Sequence, residues 1–443
     1  MRSQRVTRRL WSVLVVSTFG VIIYVLFRPL RSLRGRPPGS PSGYQAESNL
    51  RAGNTDFKNL RLTEGECQSA FPGLTSEIDR AVAEGEFRLN VSDAYTSLLG
   101  EIKENKILIH RAPRPVDMSE QWIQRQSAAL HQLNRALLTS PTLLPDTIFN
   151  LYIQDVPVPN SWSHSRPATP PSSPRHIFPI PHFSFWAWDQ PFIRSIPHAA
   201  AAIATLEASL PFEGKDPRAI WRGTTWFNNP ASANPRSRQD LLLKTKGAAW
   251  ADVQALTWTS NSQDAGNVVA IEDFCRYKYV IYTEGVSYSG RLQFHQLCES
   301  VLLTPPFEWM QHTTHLVKPV YSSTLLGSEA KSDGFPSPRA LEAWPDTAGA
   351  EEADVVFVRP DWSDLEATIQ WLEGHPEVAR GIARRQREKF AGQGYLSPGA
   401  EVCYWRSLIR GWSTVVRSDE DGLGDGVSFE EFTVKSGGSR KGR

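Results

Sequence analysis

The densest chemistry in the chain lies in Glu284-Gly285-Val286-Ser287-Tyr288-Ser289-Gly290-Arg291. Before it runs Tyr277 to Thr283, β-branched and aromatic, which predicts a strand. After it, Leu292, His295, Leu297 and Leu302 mark a predicted helical face. A strand, a Ser/Gly turn and a helix leave main-chain N–H groups unpaired at the helix start. An Arg in the first helical turn adds a planar cationic fork. Such a place suits an anion, a phosphate or diphosphate above all. An N-capped structural helix with a surface Arg fits the same pattern.

Asp155 follows a run that alternates as a strand, Thr147 to Ile153, and stands where open α/β sheets place ligands. A carboxylate there can take a proton from a substrate hydroxyl. An ordinary Asp, with a pKa of about 3.9, is ionised at neutral pH as a base must be. On the residues alone, an Asp capping its own turn before Pro157 is the favoured reading. Arg222 in Trp-Arg-Gly lies at a strand end where the Gly admits a ligand close to the backbone. Arg236 and Arg238 precede a helix, so three basic features fall within one domain. Other chemistries lack support. The only DxD is Asp419-Glu420-Asp421 in the tail, His312 and His315 lack a third ligand, and GxSxG, GxxxxGK[ST] and HExxH are absent.

A chain of 443 residues with a net charge of +1 has room for two or three domains and no field that would draw nucleic acid. The uncharged 18-residue run Leu10 to Phe27 predicts a membrane-spanning signal anchor, with residues 1–9 cytoplasmic and the bulk lumenal. Asn90 would then be open to glycosylation. Residues 28–60 read as an Arg/Pro/Gly/Ser stem. Folded sequence starts near residue 61, changes texture near 213 and ends near 417, followed by a disordered tail over 418–443. Helical spacing appears at Ser76–Ala83, Asp117–Leu138, Ala199–Leu210, Asp364–Leu372, Glu377–Phe390 and Val402–Val415. Strands are expected at Ile107–His110, Ile220–Gly223, His315–Tyr321 and Asp354–Val358. The alternation predicts two α/β domains, 61–212 and 213–417. Residues 157–181, with eight Pro, read as a long surface loop or insertion.

Pro145 to Pro157, Trp221-Arg-Gly223, Arg238-x-x-Leu241, Cys275-Arg-Tyr-Lys-Tyr279 and Gly285 to Arg291, in that order, resemble glycosyltransferase family 90. This is the family of fungal capsule-associated xylosyltransferase-like proteins and Rumi-type protein O-glucosyltransferases. Glu308-Trp309 and Pro360 to Leu365 are similar to it too. The resemblance implies a GT-B-like fold, two Rossmann-like domains facing across a cleft. It implies transfer of xylose or glucose from a UDP-sugar with inversion, to a glycan, glycolipid or glycoprotein hydroxyl, without metal or other cofactor. The family's base falls on Asp155. Its donor-binding positions fall on Ser184, Thr224, Arg238 and the turn Val286, Ser287, Tyr288, Ser289, Gly290, Arg291, beside which Arg222 is added from the residues themselves. Two disulfides are implied, Cys275–Cys298 and Cys67–Cys403, which an oxidising Golgi or endoplasmic-reticulum lumen permits. The chain departs from animal relatives in its Val-Ser-Tyr-Ser-Gly-Arg turn and its longer 157–181 segment, where a peptide acceptor would lie. A catalytically inactive glycan- or UDP-binding member of the fold is the second reading. A glycosidase, needing Asp189 or Glu308 as partner to Asp155, is the third.

Overall fold

The computed structural model describes residues 56–89, 97–169, 172–190, 192–259, 265–327, 334–418 and 423–438. All of them fall in one unit, Asn54–Arg443. Leu10 to Phe27 and Asn90 lie outside the described residues. Among the described residues no helix is long and apolar enough to cross a membrane.

Two six-stranded sheets organise the unit. The second is parallel throughout, in the order Pro319–Tyr321, Val355–Phe357, Val301–Thr304, Tyr277–Ile281, Asp216–Gly223, Ala251–Ala255. Its sequence shows why it is buried on both faces. Ala219, Trp221, Tyr279, Ile281, Val301, Leu303 and Val356 fall in one core. The alternate residues Ile220, Val280, Leu302, Val355 and Phe357 fall in the other. Period-2 side chains that are apolar on both faces are the mark of a parallel sheet covered twice.

The first sheet is mixed, in the order Val427–Ser428, Lys106–Arg111, Leu98–Lys103, Thr147–Leu151, Ser161–Ser163, Ile177–Pro179. The first four strands are antiparallel and the last three parallel. The expectation of two Rossmann-like domains therefore meets an antiparallel hairpin in the first. Lys103 pairs with Lys106, and the two residues between them, Glu104 and Asn105, both have positive φ, 50° and 59°. That is the geometry of a two-residue hairpin turn, which joins neighbours antiparallel.

Four further expectations are corrected. The described residues of 157–181 are not one long surface loop. They supply Ser161–Ser163 and Ile177–Pro179 to the first sheet, with Trp162 fully buried and stacked on Phe149 at 4.7 Å. Pro179 is accommodated because its strand is the sheet's edge. Second, the helix after Arg291 is one turn, Leu292–His295, and Leu302 belongs to a strand. Third, the tail is structured over Val427–Gly438, where Val427 and Ser428 pair with Ile109 and Leu108 and Phe429 is buried. Fourth, the closing helix Pro398–Val415 packs on the first half of the chain. Trp405 and Arg406 bond Gln132 and the Ala136 carbonyl of helix Glu120–Leu138, and Trp412 bonds the Ile148 carbonyl.

Both disulfides form as the resemblance implies. Cys67–Cys403 ties helix Glu64–Ala70 to the closing helix, and Cys275–Cys298 brackets the turn that ends in Arg291. Among the described residues no cysteine is free.

Candidate active site

The second sheet fixes where its ligand belongs. Strand Asp216–Gly223 is flanked by the next strand in sequence, Ala251–Ala255, on one side, and by the one after, Tyr277–Ile281, on the other. The chain reverses its course across the sheet between Gly223 and Ile281. Open α/β sheets bind ligands beyond the carboxyl ends of the strands at such a reversal.

Two arginines meet there. Arg238, near the start of helix Ser237–Lys244, reaches back and donates Nε to the Glu284 carbonyl at 3.0 Å and Nη1 to the Thr224 carbonyl at 2.8 Å. Arg291 donates Nη1 to the Arg222 carbonyl. Among the described residues no carboxylate lies within ion-pair distance of either guanidinium. Burial, with the Arg291 charge adding to it, pushes Arg238 down to about 9. Burial pushes Arg291 down to about 10. Both stay cationic at neutral pH, so the site holds two like charges and lacks a counter-ion, an arrangement that favours an incoming anion.

The turn between Glu284 and Arg291 adds main-chain donors. The Ser289 N–H goes to the Tyr282 hydroxyl at 2.9 Å, and the Gly285 N–H to the Ser287 carbonyl at 2.8 Å. Among the described residues the N–H groups of Val286, Ser287, Tyr288, Gly290 and Arg291 have no protein acceptor. Five N–H groups of the turn are thus open, and those of Gly285 and Ser289 are used internally. The helix that follows is a single turn, so the charge here comes from the arginines and these N–H groups and not from a helix end.

Glu284 would oppose an anion if ionised. Burial, reinforced by the Glu308 carboxylate, pushes it well above the usual carboxylate range. It accepts the N–H groups of Glu308 and Trp309 at 3.2 and 3.0 Å.

Asp155 approaches from the first half. Its carboxylate is half exposed and takes Nη1 of Arg125 at 2.8 Å. Its carbonyl accepts the Ser287 hydroxyl at 2.6 Å, so residue 155 and the turn ending in Arg291 share one seam. Arg125, on helix Glu120–Leu138, stands 5.1 Å over the Phe183 ring. Nothing in the sequence marks Arg125 beyond its place on an amphipathic helix.

The other expected residues divide. Thr224 is buried, with its hydroxyl taken by Trp258 Nε1 at 2.9 Å. Val286 is half-buried in the turn, and Tyr288 is buried with its ring 5.7 Å from that of His182. Ser184 is fully buried and joined to His182 Nδ1 at 2.7 Å. Arg222 enters only through its carbonyl. Its guanidinium is held by Asp252, at 2.8 Å to the carboxylate and 2.7 Å to the carbonyl. Asp189 accepts Gln124 Nε2 at 2.9 Å, one residue along the helix from Arg125. His182 was not singled out from the sequence, yet its Nε2 sits directly under Gly290, where a Cβ would lie 2.4 Å from it. That contact is why the position must be glycine. A cavity of about 510 Å³ opens next to Gly285, with Glu284 and Glu308 in its wall.

Residues 93–323, 231 of 443, match the model of a protein family described as Glycosyl transferase family 90. The chain belongs to glycosyl transferase family 90. The family match contains Asp155, Arg125, Arg238 and the whole turn to Arg291. It stops short of the closing helix that carries Cys403. Among relatives, the chain is 26% identical over 215 residues to an O-glucosyltransferase rumi homolog of Anopheles gambiae, covering 48% of this chain and 45% of that protein. It is 27% identical over 214 residues to the Aedes aegypti rumi homolog, 46% and 43%. It is 22% identical over 286 residues to human Protein O-glucosyltransferase 1, 61% and 63%. The chain spans less than two thirds of the length of each of these family members.

Proposed function

We propose that the chain is an inverting glycosyltransferase that moves a sugar from a UDP-sugar to a hydroxyl of a glycoprotein or glycan acceptor, without a metal. One observation carries the reading: Asp155, held by Arg125, is bonded through its carbonyl to Ser287, in the turn that ends in the uncompensated Arg291.

In this reading the acceptor oxygen attacks the anomeric carbon as its proton passes to the Asp155 carboxylate. The bond from that carbon to the diphosphate oxygen breaks on the opposite face, and UDP departs carrying the electron pair. Charge grows on the diphosphate, where Arg238, Arg291 and the open N–H groups wait. Preorganised charge of this kind is usually the largest catalytic contribution, and general-base help adds about 10²–10⁴-fold. Arg125 orients Asp155 and keeps a cation near the carboxylate. The two sheets are read as the halves of a GT-B-like enzyme. Leu10 to Phe27 is read as a type II anchor that places the unit in the lumen of the Golgi or endoplasmic reticulum. Two disulfides suit that oxidising compartment.

The names of the relatives make glucose the first donor to try and xylose the second. Incubating the purified chain with UDP-glucose, UDP-xylose and a panel of other UDP-sugars, with UDP release read with and without chelator, tests the reading. UDP release from at least one donor, unaffected by chelator, is expected. No release above an Asp155→Asn control from any donor would point to an inactive member of the fold.

A further inference from the structure

Two aromatic rings stand in water just past one strand of the second sheet. Trp226 is 65% exposed and Phe227 46%, with ring centroids 6.0 Å apart. Among the described residues Trp226 is the most exposed tryptophan. Both follow strand Asp216–Gly223 closely. Thr224, in between, gives its carbonyl to Arg238 Nη1 and its hydroxyl to Trp258 Nε1. Trp258 is itself partly exposed and follows the neighbouring strand, Ala251–Ala255. Three aromatic side chains thus belong to the carboxyl ends of two adjacent strands, two of them within three residues of a carbonyl that holds Arg238. None of the three lines the cavity beside Gly285.

Adjoining exposed aromatics mark a binding surface better than a solitary one does. These two are held on a fixed loop. Asn228 donates Nδ2 to the Thr225 carbonyl at 2.8 Å and to Gln239 Oε1 at 3.1 Å, and its N–H goes to the Trp226 carbonyl at 3.2 Å. Rings presented in place lose little freedom when a ligand stacks on them. The residues around them narrow the ligand. Residues 224–235 hold three Asn, two Thr and one Ser but no charged side chain. That set suits a neutral ligand with an apolar face and a polar edge. A pyranose has both, C–H bonds on its face for the electron-rich ring and hydroxyls on its edge for amides and hydroxyls. A charged peptide calls for opposite charges, and a membrane surface for Lys or Arg among the aromatics; residues 224–235 supply neither.

We propose that Trp226 and Phe227 form a stacking platform for the acceptor, which is a saccharide chain whose units beyond the reacting sugar rest on the two rings. The proposal rests on the glycosyltransferase reading above and adds the class of acceptor. An array of mannose-, xylose-, glucose- and galactose-based oligosaccharides, with a folded unglycosylated disulfide-bonded peptide beside them, is probed with the full chain in the presence of UDP. The unmodified protein, Trp226→Tyr and the double variant Trp226→Ala/Phe227→Ala are compared, and UDP affinity is measured for each by calorimetry. At least one oligosaccharide should bind the unmodified protein. The double variant should weaken it by at least about tenfold, the scale of two lost ring contacts, and Trp226→Tyr by less than about threefold. UDP affinity should stay within about twofold throughout, which also shows that the variants fold. If UDP binds but no oligosaccharide does, or the double variant binds it like the unmodified protein, the platform is overturned and the donor reading stands. Peptide binding that the double variant loses, or a dimer of the chain that it breaks, would assign the rings to a protein partner and overturn the platform too. If the unmodified protein does not bind UDP, a bound saccharide is no acceptor and both readings fall.

Discussion

The Ser287 hydroxyl donates to the main-chain carbonyl of Asp155 at 2.6 Å. This bond joins the loop that carries the Asp155 carboxylate in the first half to the turn that ends in Arg291 in the second. In the proposed reaction it would fix the separation between Asp155 and the departing diphosphate, on which in-line displacement depends.

Ser287→Ala removes that bond and little else. A single hydrogen bond is worth about 0.5–1.5 kcal/mol, so transfer should fall by about two- to tenfold. UDP affinity should change by less than about twofold, because the residue's main-chain donor remains. Initial rates at saturating donor, set beside UDP titration, would show this; equal losses in both would mean that Ser287 serves binding and not alignment.

Gly290→Ala places a Cβ 2.4 Å from His182 Nε2 and 3.0 Å from the Trp188 ring. Either the turn or the imidazole must move, and His182 is itself held through Ser184 and through Gln132 to its carbonyl. UDP binding should drop by at least about tenfold, and adding His182→Ala should restore part of it. Non-additivity in this double-mutant cycle is the signature of direct contact.

Acid should unfold the protein steeply. Burial pushes His164, His295 and His312 down to about 3, and His182 well below its ordinary value. All four are neutral when folded and regain an ordinary pKa of about 6.5 when unfolded. Their contribution is therefore intact above about pH 6.5 and is lost as pH falls toward 3, at up to about 1.4 kcal/mol per pH unit for each. Denaturant midpoints at pH 5, 6 and 7 should fall with decreasing pH. A flat profile would show that these rings are hydrated in solution.

Much of the second half was legible because its signals are local. Tyr277 to Thr283 has the composition of a strand, and Gly, Ser and Arg then follow without interruption. The parallel sheet, the position of the turn and both disulfide partners follow from such runs and from the family resemblance. What escaped depends on partners distant in sequence. The Pro-rich stretch 157–181 looks like a loop until Trp162 finds Phe149, and Val427–Ser428 looks disordered until Lys106–Arg111 offers an edge. Arg222 has the sequence of a ligand-facing arginine, but Asp252 on the neighbouring strand claims its guanidinium. Arg125 and His182 carried no motif; each matters through one contact, to Asp155 and to Gly290 respectively.

The most direct measurement of the account compares Asp155→Asn and Arg291→Ala for UDP affinity by calorimetry and for sugar transfer by UDP release. Asp155→Asn should bind UDP like the unmodified protein and lose at least about a hundredfold in transfer, whereas Arg291→Ala should lose UDP affinity itself. Full transfer by Asp155→Asn, or unchanged UDP affinity in Arg291→Ala, would contradict the division of labour between the two halves.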